Sequence, residues 1–288
     1  MKIWIRKMYF LAIIIIFSSQ YVMAETTVSA INNLIITDVT PEKFSVIWAS
    51  HEPSSCSLAV YSDPTALNEI SSQLTIISES EIHVPAENNG VMKVTVKQLR
   101  KETTYYFKTI TISKQNNIRY ISDKVYTVTT EKESGFVTNT ILVQQIYNCD
   151  GQTPASGTLL IVMFKEASYP LSSWTADGYP EGFAGVDLMN FYSKTTRTPL
   201  EIEEYGSSVT LNAFGGLLGY ANTQAIVDES YFTQSIPRDA VLTSLIDVIL
   251  GLQVLAGLEN ERKPCFKDID SDNQYDLHDL INTFSNLQ

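Results

Sequence analysis

Short runs in which apolar and polar residues alternate, separated by polar turns, dominate residues 31–130. Period two is the pattern of half-buried β-strands, because successive side chains point to opposite faces. The pattern predicts about seven strands in about 100 residues, which is the size of an immunoglobulin-like β-sandwich. The clearest predicted strands are 33–40, 43–48, 57–61, 91–97, 104–112 and 124–130.

Two aromatic residues make this prediction more specific. Trp48 falls on the inward side of the second predicted strand, and Leu99, Thr103 and Tyr105 have the spacing L-x-x-x-T-x-Y. This spacing resembles the tyrosine corner of fibronectin type III domains, although Lys101 replaces the usual proline. The resemblance covers residues 28–132 and implies that the Tyr105 hydroxyl bonds to the backbone of its own loop. We expect both aromatic residues to be core residues and not ligand contacts.

Residues 135–230 also have the pattern of strands, most clearly at 140–147, 158–164, 208–214 and 221–227. The segments 150–155, 174–183 and 186–190 resemble prealbumin-like or carboxypeptidase-regulatory-like β-sandwiches, and a second immunoglobulin-like sandwich is the alternative. The glycine-rich segment 215–219 lacks the Lys-Ser or Lys-Thr and the following helix of a phosphate-binding loop. It is therefore predicted to be a hairpin turn.

After Pro237 the apolar period changes to that of a helix. Ser244 is a candidate N-cap and Gly257 a candidate C-cap. About 32 residues later the segment 277–281 repeats the pattern of 245–249, so we expect two short helices that pack face to face. The apolar residues of the first helix are Leu245, Val248, Ile249, Leu252 and Leu255.

An acidic loop precedes the second helix. Counted from Asp268, carboxylates fall at positions 1, 3, 5, 9 and 12, and position 7 supplies a backbone carbonyl. Calcium prefers six to eight oxygen ligands, and this spacing directs alternate residues toward one centre. Asn273 occupies the position that needs a left-handed backbone. The predicted ligands of one Ca²⁺ ion are Asp268, Asp270, Asp272, Gln274, Asp276 and Asp279.

Residues 236–288 resemble a degenerate dockerin, a pair of calcium loop–helix units that docks onto cohesin domains. In the first loop Ile236, Arg238 and Ala240 occupy ligand positions, so one calcium site is expected. The partner-reading positions of dockerins are Leu245-Ile246 and Leu277-His278 here, which places a conventional cohesin partner in doubt. The predicted fold is thus mainly β, two tandem β-sandwiches followed by a small all-α calcium-binding module.

The amino terminus has the layout of a secretory signal peptide: Lys2, Arg6 and Lys7, an apolar run over 8–17, and a small-residue site ending at Ala24. We expect cleavage near Ala24 and a secreted, extracellular or periplasmic protein. The formal net charge of −12 becomes more negative when the basic residues of the signal are removed. Such acidity argues against nucleic acid, and no later apolar run is long enough for membrane insertion.

Zinc, catalytic-triad and nucleophile-elbow signatures are absent from the sequence, whereas a pair of carboxylates for glycoside hydrolysis would leave no such signature. His51, His83 and His278 stand in no zinc or triad signature, and G-x-S-x-G does not occur. Cys56, Cys149 and Cys265 are consistent with free thiols, one long-range disulfide or an intermolecular bond.

The sequence favours a secreted, non-catalytic binding or structural protein whose C-terminal module contacts a protein, either cohesin-like or a cell-surface component. The alternative is an accessory subunit of an extracellular polysaccharide-degrading complex that docks on a cohesin scaffold. Polysaccharide is a further candidate ligand. An enzyme in its own right is the third and least favoured hypothesis, because no domain of hydrolase size is present.

Overall fold

A computed structural model shows which of these elements form. All the described strands belong to one compact unit. The structure describes residues 32–133, 141–148, 152–176, 181–200, 207–227, 240–241, 245–256, 277–278 and 280–281.

The first sandwich is built from eight strands in two sheets. One sheet has the order β1-β2-β5-β4, and the other has β3-β6-β7, with β8 also paired to β6. All these pairings are antiparallel. Two antiparallel sheets packed face to face are the arrangement of immunoglobulin-like sandwiches. The strands are Asn32–Thr37, Lys43–Ala49, Ser54–Tyr61, Thr75–Ser78, Val91–Lys97, Thr104–Ser113, Arg119–Ile121 and Tyr126–Thr129.

The core of this sandwich confirms the two aromatic predictions. Trp48 is fully buried, and its indole Nε1 donates a hydrogen bond of 2.9 Å to Thr111 Oγ1. The Tyr105 hydroxyl accepts a 2.9 Å hydrogen bond from the backbone N–H of Arg100. This bond is the tyrosine corner, and it fixes the turn that precedes β6. The Lys101 departure from the usual proline therefore leaves the corner intact.

The second sandwich contains the remaining seven strands. Its sheets have the orders β11-β10-β13-β14 and β12-β9-β15. The predicted hairpin is confirmed, since β13 and β14 pair antiparallel on either side of the glycine-rich turn. The strands are Ile141–Tyr147, Leu159–Phe164, Leu171–Trp174, Phe183–Asp187, Ser207–Phe214, Tyr220–Val227 and Ala240–Val241.

The last strand lies where the sequence predicts the first loop of the C-terminal module. Ala240 and Val241 pair in parallel with Ile146 and Tyr147 of β9. A segment predicted to begin a separate module thus adds a short edge strand to the second sandwich.

A third apolar layer joins the two sandwiches. In β2, Phe44, Val46 and Trp48 enter the core of the first sandwich, whereas Ile47 and Ala49 face the other way. In β10, Leu159 and Ile161 likewise turn away from their own core. These outward side chains pack together with Ala86, Val91 and Phe214. Both central sheets are therefore covered on both faces.

Two glycines of the second sandwich lie against helix α1, Val84–Asn88, of the first. Gly157 and Gly216 both have positive φ, and a side chain at either would overlap backbone atoms of this region. The amide of Leu217 donates a 2.8 Å hydrogen bond to the carbonyl of Asn89. The glycine-rich turn thus acts as a close-packing contact between the sandwiches.

Helix α2, Leu245–Leu255, confirms the predicted first helix of the C-terminal segment. Val248 and Leu280 are buried, whereas Ile249, Leu252, Leu255, Leu277 and Ile281 are 43–54% exposed. The packing of the two helices face to face thus stays a prediction. Much of the apolar surface of these described helical residues is open to solvent. Within the described parts of the chain no helix is long and apolar enough to cross a membrane.

The shared layer predicts that a cavity on one side of it destabilises both sandwiches. Replacing the fully buried Ile161 with Ala should lower the free energy of unfolding by about 2–5 kcal/mol. Urea unfolding measures the loss, and hydrogen exchange of the β2 amides shows whether it reaches the first sandwich.

The matched control is Met163→Ala in the same strand, where the side chain is 45% exposed and the effect should be small. If Ile161→Ala leaves exchange in β2 unchanged, the two sandwiches are not coupled through this layer.

Candidate functional site

Three ionisable side chains meet beside the apolar layer at the sandwich junction. Asp38 follows β1, Glu79 begins the 3₁₀ turn Glu79–Glu81, and Lys93 lies in β5. Lys93 Nζ lies 3.3 Å from Asp38 Oδ2 and 3.2 Å from Glu79 Oε2. The side chains of Lys93, Asp38 and Glu79 are only 7%, 14% and 24% exposed. We call these three residues the junction triad.

The backbone at Asp38 adopts an uncommon conformation. Its φ is 54°, in the left-handed region that aspartate tolerates better than most residues. Its N–H donates a 2.9 Å hydrogen bond to the carbonyl of Pro170 in the second sandwich. Strained residues of this kind persist where the surroundings hold them in place.

The second sandwich completes the triad through β11. The backbone N–H of Ser172 donates a 2.8 Å hydrogen bond to Asp38 Oδ1, and the Ser172 hydroxyl donates to Oδ2. Trp174 Nε1 donates a 3.1 Å hydrogen bond to Glu79 Oε2, and the Trp174 ring stacks on His83 at 4.8 Å. Every carboxylate of the triad therefore has a partner in the second sandwich.

Burial by itself disfavours the charged forms of all three groups. For Asp38 that effect is outweighed by the Lys93 ammonium and the hydrogen bonds of Ser172 and Thr37, so its pKa is lowered. The pKa of Glu79 is lowered for the same reason, with Thr95 and Trp174 as donors. The two carboxylates raise the pKa of Lys93 against burial. At neutral pH the triad is a charged, internally compensated cluster.

A cleft of about 240 Å³ opens beside the triad, between the sandwiches. Lys43 and Lys97, which are register partners on β2 and β5, stand on one side. Asp187 and Asn190 stand on the other. The lining thus contains both hydrogen-bond donors and acceptors, and its large apolar side chains are Leu171 and Val186.

A second ionic contact joins the sandwiches near residue 131. Glu131 is fully buried, and its carboxylate accepts 3.1 Å and 2.6 Å hydrogen bonds from Arg197 Nε and Ser168 Oγ. The guanidinium also donates to the carbonyls of Thr129 and Thr130. Arg197 itself has a φ of 59°, so two of the six described non-glycine residues with positive φ, Asp38 and Arg197, lie at separate junction contacts.

The described chain also contains one cysteine and three histidines. Cys56 is a free, buried thiol whose pKa burial raises to about 11, so it is protonated at neutral pH. His83 is half-buried against Trp174, whereas His51 and His278 are exposed. The described residues contain no cluster of three or more His, Cys, Asp or Glu that could hold a metal.

All six predicted calcium ligands lie outside the described residues, as do Cys149, Cys265 and the predicted signal peptide 1–24. The ligands are Asp268, Asp270, Asp272, Gln274, Asp276 and Asp279, so the calcium site stays a prediction. The flanking helical residues Leu277, His278, Leu280 and Ile281 are the part of that unit that the structure describes.

Sequence analysis missed the junction triad. The alternating pattern of 91–97 predicts a half-buried strand, yet Lys93 and Thr95 are buried together with the apolar residues of that strand. One local signal was available. The unbroken apolar runs 46–49 and 159–162 are longer than a one-faced strand requires, and such runs are typical of strands covered on both sides.

No family model matches the chain, and no curated protein matches it either. Among solved structures, the FN1–FN3 domains of chicken CNTN1 match with 11% identity and a TM-score of 0.25, covering 68% of this chain and 65% of that one. The selenomethionine-substituted chicken interferon gamma receptor alpha chain matches with 10% identity and a TM-score of 0.21, covering 70% and 100%. The chain thus spans slightly less than two thirds of the CNTN1 fragment.

The buried Glu131 carboxylate is compensated by the positive charge of Arg197. Removing that charge should leave the carboxylate buried without a cationic partner. Arg197→Met should therefore lower the free energy of unfolding by about 3 kcal/mol. This value is at the low end of the range for a broken buried ion pair, because the guanidinium is one third exposed. Equilibrium unfolding in urea measures this loss.

The double variant Glu131→Gln, Arg197→Met supplies the control, since it removes the stranded charge. It should recover most of the lost stability, and a double variant as unstable as Arg197→Met would contradict the pairing.

Proposed function

We propose that this chain is a secreted, non-catalytic binding or structural protein. Its two sandwiches act as one joined spacer, and its C-terminal segment is a calcium-stabilised module for protein interaction. The observation that carries the proposal is the junction. An apolar layer, the junction triad and the Glu131–Arg197 pair all join the sandwiches, and each buried charge has an opposite partner.

The chemistry of the cleft supports a non-catalytic role. A general acid or base works best with a pKa near the operating pH. In the junction triad the pKa values move away from neutral pH. Those of Asp38 and Glu79 are lowered and that of Lys93 is raised, so all three groups stay charged. The Cys56 thiol is likewise buried and protonated. Mutual compensation of this kind suits a structural contact between domains.

The open apolar surface of the C-terminal segment supports a protein partner. Five large apolar side chains on α2 and at 277–281 are about half exposed. Exposed apolar surface of this kind is typical of interaction sites. A cohesin-like or cell-surface protein, as the dockerin resemblance implies, is the proposed partner.

Calcium binding by the 268–279 loop is part of the same proposal. Five carboxylates and the Gln274 carbonyl supply the hard oxygen ligands that Ca²⁺ prefers. The first loop lacks comparable ligands, so one ion is expected. An ion that binds only the folded loop stabilises it by about 2.7 kcal/mol at a hundredfold excess over Kd.

Calorimetric titration of the full chain with CaCl₂ should therefore give a stoichiometry near one. Asp270→Ala should abolish the binding heat, because it removes one of five clustered carboxylates that hold the ion. Asp247→Ala, in the predicted first unit, is the matched control and should leave the stoichiometry at one. A stoichiometry of two, or no heat at all, would contradict the single site.

The binding role is tested by affinity capture from the envelope and medium of the producing cell, with and without calcium. We expect a protein captured only with calcium, and Asp270→Ala should lose it. Turnover of any polysaccharide on a broad panel would overturn the non-catalytic proposal. Capture of a cohesin-bearing scaffold would select the accessory-subunit alternative.

A further inference from the structure

The junction triad places an amine beside two carboxylates in a site that is nearly closed to water. Lys93 Nζ is 3.3 Å from Asp38 Oδ2 and 3.2 Å from Glu79 Oε2. Among the described ion pairs, this is the one in which a lysine is itself buried and touches two acids. The other lysine pair, Lys114 with Glu87, leaves its lysine 41% exposed.

We infer that Lys93 and Asp38 become joined by an intramolecular amide bond in the folded protein, with Glu79 as the proton carrier. A lysine amine, an adjacent carboxyl carbon and a second carboxylate that contacts the amine are the groups that such a condensation needs. Because all three groups are held close together in one folded chain, the reaction is intramolecular and favoured by proximity.

The reaction balances without a co-reactant. The Lys93 ammonium gives a proton to the Asp38 carboxylate, either directly or through Glu79, which leaves a neutral amine and a neutral acid. The amine nitrogen then attacks Asp38 Cγ to form the C–N bond. The nitrogen loses a second proton to Glu79, which returns it to the departing hydroxyl. The C–O bond breaks, one water leaves, and Glu79 ends as it began.

The second sandwich supplies stabilisation for the intermediate. The Ser172 N–H lies 2.8 Å from Asp38 Oδ1, so it can stabilise the negative oxygen that develops there. The hydroxyls of Ser172 and Thr37 contact Oδ2, the oxygen nearer to Lys93. The adjoining cleft gives the released water a way out.

The ion pair is the starting state of this reaction. Burial disfavours the charged form of each partner, but the attraction between the charges and the hydrogen bonds to Asp38 outweigh it, so the neutral pair that reacts is a minor species. The bond has to form only once in each molecule, so a rarely populated neutral pair is sufficient. An amide is hydrolysed only very slowly at neutral pH, so the bond persists once it has formed.

The bond would link the end of β1 to the middle of β5 across the intervening β2. Tension on the amino-terminal strand would then be carried by a covalent bond instead of hydrogen bonds alone.

Mass spectrometry of the purified full chain tests the inference. The intact mass should be lower than the sequence mass by one water. A tryptic digest should lack cleavage at Lys93 and contain segment 44–97 joined to the peptide that ends at Lys43. Lys114 should be cleaved normally and serves as the internal control.

Variants assign the roles. Asp38→Ala and Lys93→Arg should show no loss of water. Asp38→Asn should condense with loss of ammonia and reach the same final mass as the reacted parent chain. Glu79→Gln should slow condensation by about two orders of magnitude or more. Lys43→Arg and Lys97→Arg, on the rim of the cleft, should still lose one water.

An unchanged intact mass with normal cleavage at Lys93 would overturn the inference and leave a salt bridge. In that case stability should fall in acid as Asp38 and Glu79 are protonated, because their pKa values are lowered on folding. A loss of water that maps to Asp150-Gly151 as a cyclic imide would also overturn it.

Discussion

Contact between two sheets that are each covered on both faces determines the architecture of this protein. The sheet β1-β2-β5-β4 turns one face to the core of the first sandwich and the other to the second sandwich. Fully buried residues such as Ile47, Leu159 and Ile161 form that shared layer. Burial of apolar surface stabilises a protein by about 25 cal/mol per Å² removed from water. The shared layer therefore stabilises the folded state in the same way as the core of each sandwich. The two sandwiches therefore form a stack with three apolar layers.

Covering a sheet on both sides changes what its polar residues must do. Lys93 and Thr95 lie on the strand face that would meet water in an isolated sandwich, and here they are buried. A buried charge needs compensation, because the loss of hydration otherwise outweighs its other interactions. Asp38 and Glu79 supply that compensation for Lys93, while Ser172 and Trp174 satisfy the carboxylates from the opposite side. The ionic contacts thus follow from the apolar one.

The sequence predicted local structure well because strand period, turn residues and the tyrosine corner are local signals. Trp48, Tyr105 and the hairpin around Gly216 lie where their patterns indicate. The junction could not be predicted in the same way. Whether Lys93 faces water or a second sheet depends on residues about 80 positions away along the chain. The alternation of apolar and polar residues in its strand is the same in either case, so the pattern does not distinguish them. Ala240 illustrates the same limit. The sequence around it predicts the first loop of the C-terminal module, whereas in the structure Ala240 pairs with β9 as part of a short strand.

The junction also explains why the best candidate site contains strained backbone. Asp38 and Arg197 both have positive φ without being glycine, and both bring a charged side chain to a partner in the other sandwich. A left-handed conformation of a non-glycine residue costs on the order of 1 kcal/mol, so the contacts that it permits must return more than this. At Asp38 they include hydrogen bonds from Ser172 and Thr37 and the contact with Lys93. These contacts hold the carboxyl group against one amine and one backbone N–H. The N–H at Oδ1 satisfies the carboxylate of the ion pair, and in the proposed condensation the same donor would face the oxygen on which negative charge develops.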